Sequence, residues 1–237
     1  MGVYLNDVQL EQFRIYHNAL TNWNSRVNLT TITGWEDVVN RHYLDSLTAR
    51  LALTQEMAEG GRFVDIGTGA GFPGVALKIA FPGLYTTLVD ATSKKAAFLE
   101  HLVHRLGLHG VDILAGRAET LGHDTELRES FDFVVARAVS GMATLAELTL
   151  PFCRLGGRVI AYKTRGAEKE ILGAGTAIAT FGGKLSDVIG TSVTGIGNGR
   201  CLVVLKKTTR SPDRYPRRPG LPSKRPVRAF SPTHNQT

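Results

Sequence analysis

Apolar residues recur along positions 6–23 as Val8, Leu10, Phe13, Ile15, Tyr16, Leu20 and Trp23, a spacing that predicts an amphipathic helix. A polar stretch from Asn24 to Thr30 follows, and a second helix is expected from about Trp35 to Leu53. The rhythm then changes. Phe63–Ile66, Leu84–Asp90, Val111–Leu114, Phe131–Ala136 and Arg158–Tyr162 read as short buried strands. Two helices separate some of them. In the first, Ser93 is the expected cap, Ala96, Phe98, Leu99, Leu102, Val103 and Leu106 form the apolar face, and Gly107 is the stop; the second runs from Gly141 to Pro151. Such alternation predicts an α/β fold with a parallel, doubly wound sheet. Lys184–Ile189 and Cys201–Leu205 form a last strand pair, antiparallel if the turn containing Gly195-Ile196-Gly197-Asn198-Gly199 closes a hairpin. The chain divides accordingly into a helical extension (1–60), a sheet domain (61–207) and a C-terminal arm (208–237).

Composition changes this picture little. At 237 residues, 43% hydrophobic and 21% charged, the chain is an ordinary globular one, and wholesale disorder is excluded. No apolar run reaches the roughly 18 residues of a membrane span. Residues Met1 to Asp7 lack the basic and apolar regions of a secretory signal, so a soluble cytoplasmic protein is expected. Cys153 and Cys201 are too few for a disulfide framework. His101, His104 and His109 have no cysteine or acid ligands in register, so no metal is expected.

Charge is more informative. The net +7 is not spread evenly: Lys206 to Arg228 carry nine basic residues against Asp213 alone, and the rest of the chain sums to −1. Pro212, Pro216, Pro219, Pro222 and Pro226 exclude a regular helix or central strand there. A proline-stiffened arm bearing guanidinium groups suits a phosphate backbone. Tyr215, lying between arginines, points either to RNA contact or to packing against the domain.

The sharpest motif is Asp65-Ile66-Gly67-Thr68-Gly69-Ala70-Gly71-Phe72-Pro73-Gly74, placed between the first strand and a helix. Gly67 and Gly69 allow close backbone approach, and Pro73 suits the first helical turn. The dinucleotide fingerprint fails because Phe72 stands where its third glycine belongs. Asp65 just ahead of the loop favours a cationic ligand over a phosphate-bearing one. Asp90 ends the second strand, where an acid can accept ribose hydroxyls. Together these features indicate S-adenosylmethionine more than a nicotinamide cofactor.

The segments Arg41-His42-Tyr43-Leu44-Asp45-Ser46-Leu47, the glycine loop, Arg117-Ala118-Glu119, Arg137-Ala138-Val139 and Arg214-Tyr215-Pro216-Arg217-Arg218-Pro219-Gly220 occur in that order. In this the chain resembles the bacterial small-subunit ribosomal RNA guanine-N7 methyltransferase family, also called glucose-inhibited division protein B or methyltransferase G. The resemblance implies a class I methyltransferase with a seven-stranded, mostly parallel Rossmann-like sheet. It also implies methyl transfer from S-adenosylmethionine to N7 of guanosine 527 of 16S ribosomal RNA, yielding S-adenosylhomocysteine. The partner would be 16S ribosomal RNA or the small ribosomal subunit, and a monomer is favoured.

Carried over by residue, the resemblance implies a cofactor site of Asp65, Gly67, Gly69, Phe72, Asp90, Ala91, Thr92, Ala118, Glu119 and Arg137. Arg137, at the end of the fourth strand, is the candidate for orienting the substrate. Arg41, His42, Lys94, Arg214, Arg217 and Arg218 are candidates for RNA contact, although Arg41 and Asp45, four apart on a helix, would ordinarily pair with each other. The fourth strand ends Val134-Val135-Ala136-Arg137, without the Asp/Asn-Pro-Pro turn that exocyclic amino methylation uses, and neither cysteine follows a proline. Guanine N7 has a free lone pair and needs no base, which fits this site. Two other readings stay open: a methyltransferase of small molecules or proteins, and a non-catalytic RNA-binding assembly factor.

Overall fold

The computed structural model describes residues 2–138, 140–164, 166–191 and 199–227. Helix α1 (Asp7–Val27) opens with a capping box between Asn6 and Gln9. The expected second helix is one helical run of changing pitch: α2 (Trp35–Val38), a π segment (Val39–Leu44), α3 (Asp45–Leu47) and a 3-10 turn (Thr48–Ala52). A short α4 (Gln55–Gly60) leads into β1 (Arg62–Ile66). Then come α5 (Gly74–Ala80), β2 (Tyr85–Asp90), α6 (Ser93–Leu106), β3 (Val111–Ala115), α7 (Ala118–Leu121), β4 (Phe131–Arg137) and α8 (Met142–Thr149). The remainder is β5 (Cys153–Thr164), α9 (Glu168–Gly173), α10 (Gly175–Thr180), β6 (Gly183–Thr191), β7 (Arg200–Lys207) and the single turn α11 (Leu221–Lys224).

The seven strands form one sheet in the order β3-β2-β1-β4-β5-β7-β6, parallel except for β7, which is antiparallel to both β5 and β6. The expected antiparallel pair is present, while residues 195–198 of its glycine-rich turn lie outside the described residues. Chain order reverses between β1 and β4, so an open crevice is expected at the carboxyl ends of the strands. Gly107 ends α6 in the left-handed conformation, as expected. Ser93 does not cap that helix: Thr92 occupies the cap position without a side-chain bond, and Asp90 Oδ1 accepts the Thr92 N–H at 2.9 Å.

Strand parity sorts side chains onto two layers. Val64, Ile66, Val134 and Ala136 meet Met142, Leu145 and Ile178 on one face. Phe63, Phe133, Val135, Ile160, Tyr162, Leu202 and Val204 meet Leu47, Ala52 and Leu77 on the other. Asp65, Arg137, Thr164 and Arg200 have the parity of this second face, so it points them toward the N-terminal helices. A third cluster joins Phe13, Tyr16 and Leu20 of α1 to Phe72, Val75, Leu99 and Leu102. The N-terminal helix is therefore part of the core beside the glycine loop.

The C-terminal segment is not a free arm over its described length. Tyr215 is buried against Phe181, with ring centroids 4.9 Å apart, and Ser211 and Pro222 are buried as well. Arg128 donates to the carbonyls of Tyr215 and Ser211, each at 2.8 Å. The fully buried Lys207 lies 3.0 Å from Glu129, whose carboxylate also accepts the Ser211 N–H. Buried cations need such partners, and here the partners fix the path of the chain.

Candidate active site

The glycine loop takes its shape from backbone bonds to β2. Gly67 and Thr68 both donate to the Val89 carbonyl, at 2.9 and 3.0 Å, and Gly69 donates to Asp90 Oδ2 at 3.0 Å. Gly67, Gly69 and Gly71 all have positive φ, which side-chain-bearing residues adopt only at a cost. A methyl group on Gly71 would meet the Tyr16 hydroxyl at 2.7 Å, whereas one on Gly69 would meet only the Gly67 carbonyl oxygen at 3.9 Å. Gly71 is thus a packing glycine, whereas Gly69 has open space where a side chain would stand.

Asp90, at the end of β2, is the acid bonded to the loop. Each of its oxygens accepts one backbone N–H, from Gly69 and Thr92, and Lys95 lies 3.6 Å from Oδ2. An ionised carboxylate has about four acceptor positions, so lone pairs remain for two hydroxyls. Ala91 and Thr92 are exposed at the mouth. Ala118 and Glu119 are buried at the start of α7, and Glu119 Oε1 accepts the Gly220 N–H at 2.9 Å.

Asp65 lies near the end of β1 beneath the loop. It is fully buried beneath the loop, where Oδ2 accepts the Gly74 N–H at 2.8 Å and Oδ1 has no hydrogen-bond partner of normal geometry. Burial pushes its pKa up to about 6, against the lowering influence of the neighbouring Thr68 hydroxyl and Gly74 N–H. Parity explains the placement: Asp65 shares the Phe63 face, under α5, and braces the loop without facing the crevice. Phe72 is likewise buried, stacked on Tyr16 at 4.9 Å and on His42 at 4.5 Å.

Arg137 ends β4 over the Phe72 ring, 5.2 Å from its centroid. Its guanidinium donates to Asp45 Oδ2 at 3.0 Å, to His42 Nδ1 at 3.2 Å and to the Arg41 carbonyl at 3.2 Å. Because His42 Nδ1 accepts, its proton sits on Nε2, which donates to Thr30 Oγ1 at 3.0 Å. Burial, then the Arg137 charge, lowers the His42 pKa to about 4, so the ring is neutral. Arg200, which the sequence reading missed, begins β7 with Nε 3.8 Å from Asp45 Oδ1. Its register opposite Thr164 places it beside Arg137 around a pocket of about 460 Å³ that also includes Ile32, Arg41 and His42. Period-2 counting along β7 from its apolar residues Leu202 and Val204 was the available signal.

Two sequence expectations change here. Arg41 and Asp45 do not pair: Arg41 lies 3.5 Å from Asp37, and Asp45 is shared by Arg137 and Arg200. Arg41 keeps its four-residue spacing with Asp37 in the preceding turn, while Asp45 is turned inward to the strand ends. Arg217 is turned inward. Its backbone N–H, Nε and Nη2 all bond to the fully buried Glu147, the last at 2.6 Å, so this guanidinium is already engaged. Asp65, as described, lies beneath the loop. Lys94, Arg214 and Arg218 are exposed, with Arg214 over the Tyr215 ring.

The open surroundings of Gly69 and the unfilled acceptor positions of Asp90 fit S-adenosylmethionine. Among the described residues no helix is long and apolar enough to cross a membrane. The fold resembles a mutant of MtNAS in complex with S-adenosylmethionine, with a TM-score of 0.56, 18% identity, and 85% of this chain and 72% of that chain covered. It also resembles the antibiotic-resistance methyltransferase Kmr, with a TM-score of 0.51, 16% identity, and 70% of this chain and 92% of that chain covered. At such identities these likenesses concern the fold alone. Sequence relatives are far nearer. The chain is 46% identical to the ribosomal RNA small subunit methyltransferase G of Dehalococcoides mccartyi over 96% of its length and 95% of the relative's. It is 46% identical to that of Roseiflexus castenholzii over 95% of both. The family model for GidB, rRNA small subunit methyltransferase G, matches residues 9–194, and the chain belongs to that family.

Proposed function

We propose that this protein transfers a methyl group from S-adenosylmethionine to N7 of guanosine 527 in the 16S ribosomal RNA of the small subunit. One observation carries the reading: the cofactor crevice at Gly69 and Asp90 and the arginine pocket at Arg137 and Arg200 share the carboxyl edge of one sheet, in a member of this family. When bound, the cofactor supplies an electrophilic methyl on a sulfonium sulfur. The chain's residues supply position. Asp90 receives the ribose hydroxyls while Gly69 holds its carboxylate in place. Glu119 retains one oxygen without an internal partner among the described residues, available to the adenine amino group. Arg137 orients the substrate, held rigid by its three acceptors, and Arg41, Lys94, Arg214 and Arg218 are left to meet phosphates. N7 gives up no proton, so the site needs no general base.

The test uses small subunits from cells lacking the protein, incubated with it and labelled S-adenosylmethionine. Borohydride and aniline then cut the extracted RNA at N7-methylguanosine. A single new cofactor-dependent cut is expected at guanosine 527. Label without a cut would displace the N7 assignment, and no label in subunits or naked RNA would remove the RNA substrate.

A further inference from the structure

Resting on that reading of the target atom, we propose that Asp45 is a positioning residue of the reaction. Its buried carboxylate is shared by Arg137 and Arg200 and offsets half of their charge, so that two guanidiniums can hold the substrate beside a base that is becoming cationic.

The chemistry poses the problem. The N7 lone pair forms a bond to the methyl carbon, and the S–C bond breaks with its electron pair passing to sulfur. A neutral thioether leaves, no proton moves, and the positive charge shifts from sulfur onto the purine. Charge therefore travels toward whatever surrounds the base. Around the pocket stand Arg41, Arg137 and Arg200. Phosphate-bearing substrate favours such groups, but a ring gaining charge is repelled by them.

Three features of the pocket answer this. Arg41 has its own partner in Asp37, 3.5 Å away on the exposed side of the helix. His42 stays neutral and offers Nδ1 as an acceptor, so it adds no fourth cation. Asp45 supplies the remaining negative charge, with one oxygen for each arginine, Oδ2 at 3.0 Å and Oδ1 at 3.8 Å. It is 1% exposed, where solvent screening is weakest. Its backbone is fixed by Thr48, whose hydroxyl donates to the Asp45 carbonyl at 2.6 Å.

A carboxylate that merely held structure together would, when neutralised, weaken everything at once. Charge balancing predicts opposite movements instead. In Asp45→Asn, the single-turnover rate on undermethylated subunits, read by the borohydride–aniline cut at saturating enzyme, should fall about tenfold or more. RNA affinity measured by filter binding should stay equal or tighten, because a negative charge has left the pocket. Affinity for S-adenosylmethionine by calorimetry should stay within about twofold of wild type. An unchanged rate, or a parallel loss of rate, RNA affinity and cofactor affinity, overturns the proposal. Should Asp45→Asn fail to fold, Asp45→Glu decides: it keeps the charge and should retain the rate within about threefold, and a loss as large as that expected of Asn overturns the proposal. The wild-type protein separates the two readings. If it produces no cut, the N7 assignment has failed; if it cuts and Asp45→Asn cuts equally fast, only the role of Asp45 has.

Discussion

Gly69 and Gly71 share a left-handed backbone yet differ in what surrounds them. At Gly71, alanine would place Cβ 2.7 Å from the Tyr16 hydroxyl and 2.8 Å from Val75 Cγ2, at φ +95. Urea unfolding of Gly71→Ala should show a loss of about 2–3 kcal/mol, from overpacking plus backbone strain. Gly69→Ala meets no such wall, so its stability loss should stay near the roughly 1–2 kcal/mol of left-handed strain. Its main effect should be on cofactor affinity by calorimetry, because the added methyl would occupy the open side of the loop proposed to hold the cofactor. Asp90→Ala removes the acceptor for the Gly69 and Thr92 N–H groups together with the proposed ribose contact. S-adenosylmethionine binding should weaken about 100-fold, the scale of losing charge-assisted hydrogen bonds. Both glycines were legible in the loop motif. Which one packs and which one faces ligand was not, because Tyr16 comes from a helix some fifty residues earlier in the chain.

At the scale of elements, the buried Asp65 and the half-buried His42 respond oppositely to pH. Asp65 in its strand has a pKa raised by burial to about 6, so the native state holds a proton that the unfolded chain has already lost. That contribution lowers stability as pH rises from the ordinary carboxylate range to about 6. His42 in its π segment is lowered to about 4 by burial and Arg137, so the native state binds fewer protons than the unfolded chain, and stability rises with pH up to the ordinary histidine range. Between about pH 4 and 6 the two oppose each other. Asp65→Asn removes the falling contribution, so urea-derived stability should climb more steeply across this window than in wild type. A slope equal to or shallower than wild type would contradict the assignment. Arg217→Ala tests another pairing of elements: it strands the fully buried Glu147 carboxylate on α8. A loss of about 3 kcal/mol is expected by urea unfolding, as for other broken buried pairs.

For the whole molecule, the C-terminal segment closes the structure. Tyr215 belongs to the core cluster of α8 and α10, Pro222 accepts the Thr144 hydroxyl bond, and Gly220 holds Glu119 beside the cofactor crevice. Deleting residues 208–237 should therefore cost about 4 kcal/mol or more in thermal or urea unfolding, since it opens the core and leaves Glu147 and Glu129 short of partners. A free RNA-binding arm would instead leave stability unchanged and reduce only RNA affinity. The same contacts divide the arginines of the Arg214–Gly220 motif. Arg217 is internal, whereas Arg218 is exposed. Neutralising Arg218 should flatten the salt dependence of RNA binding if it meets a phosphate.

Much of this protein follows from local pattern. Alternating apolar runs and helical periodicity specify the sheet domain, because strand and helix impose their own repeat on whichever residues are buried. The glycine loop and Asp90 mark the proposed crevice, since both sit within one strand–loop–helix–strand unit whose connections are short. The N-terminal run and the tail also belong to that core, but their composition alone could not show it: amphipathic helices and proline-rich basic segments look alike whether docked or free. What only the tertiary structure decided were pairings across long stretches of chain, among them Asp45 with Arg137 and Arg200, Tyr16 with the glycine loop, and Arg217 with Glu147. Charge and burial make each partner necessary, but sequence carries no distance. Only the folding of the strands into one sheet brings the partners together.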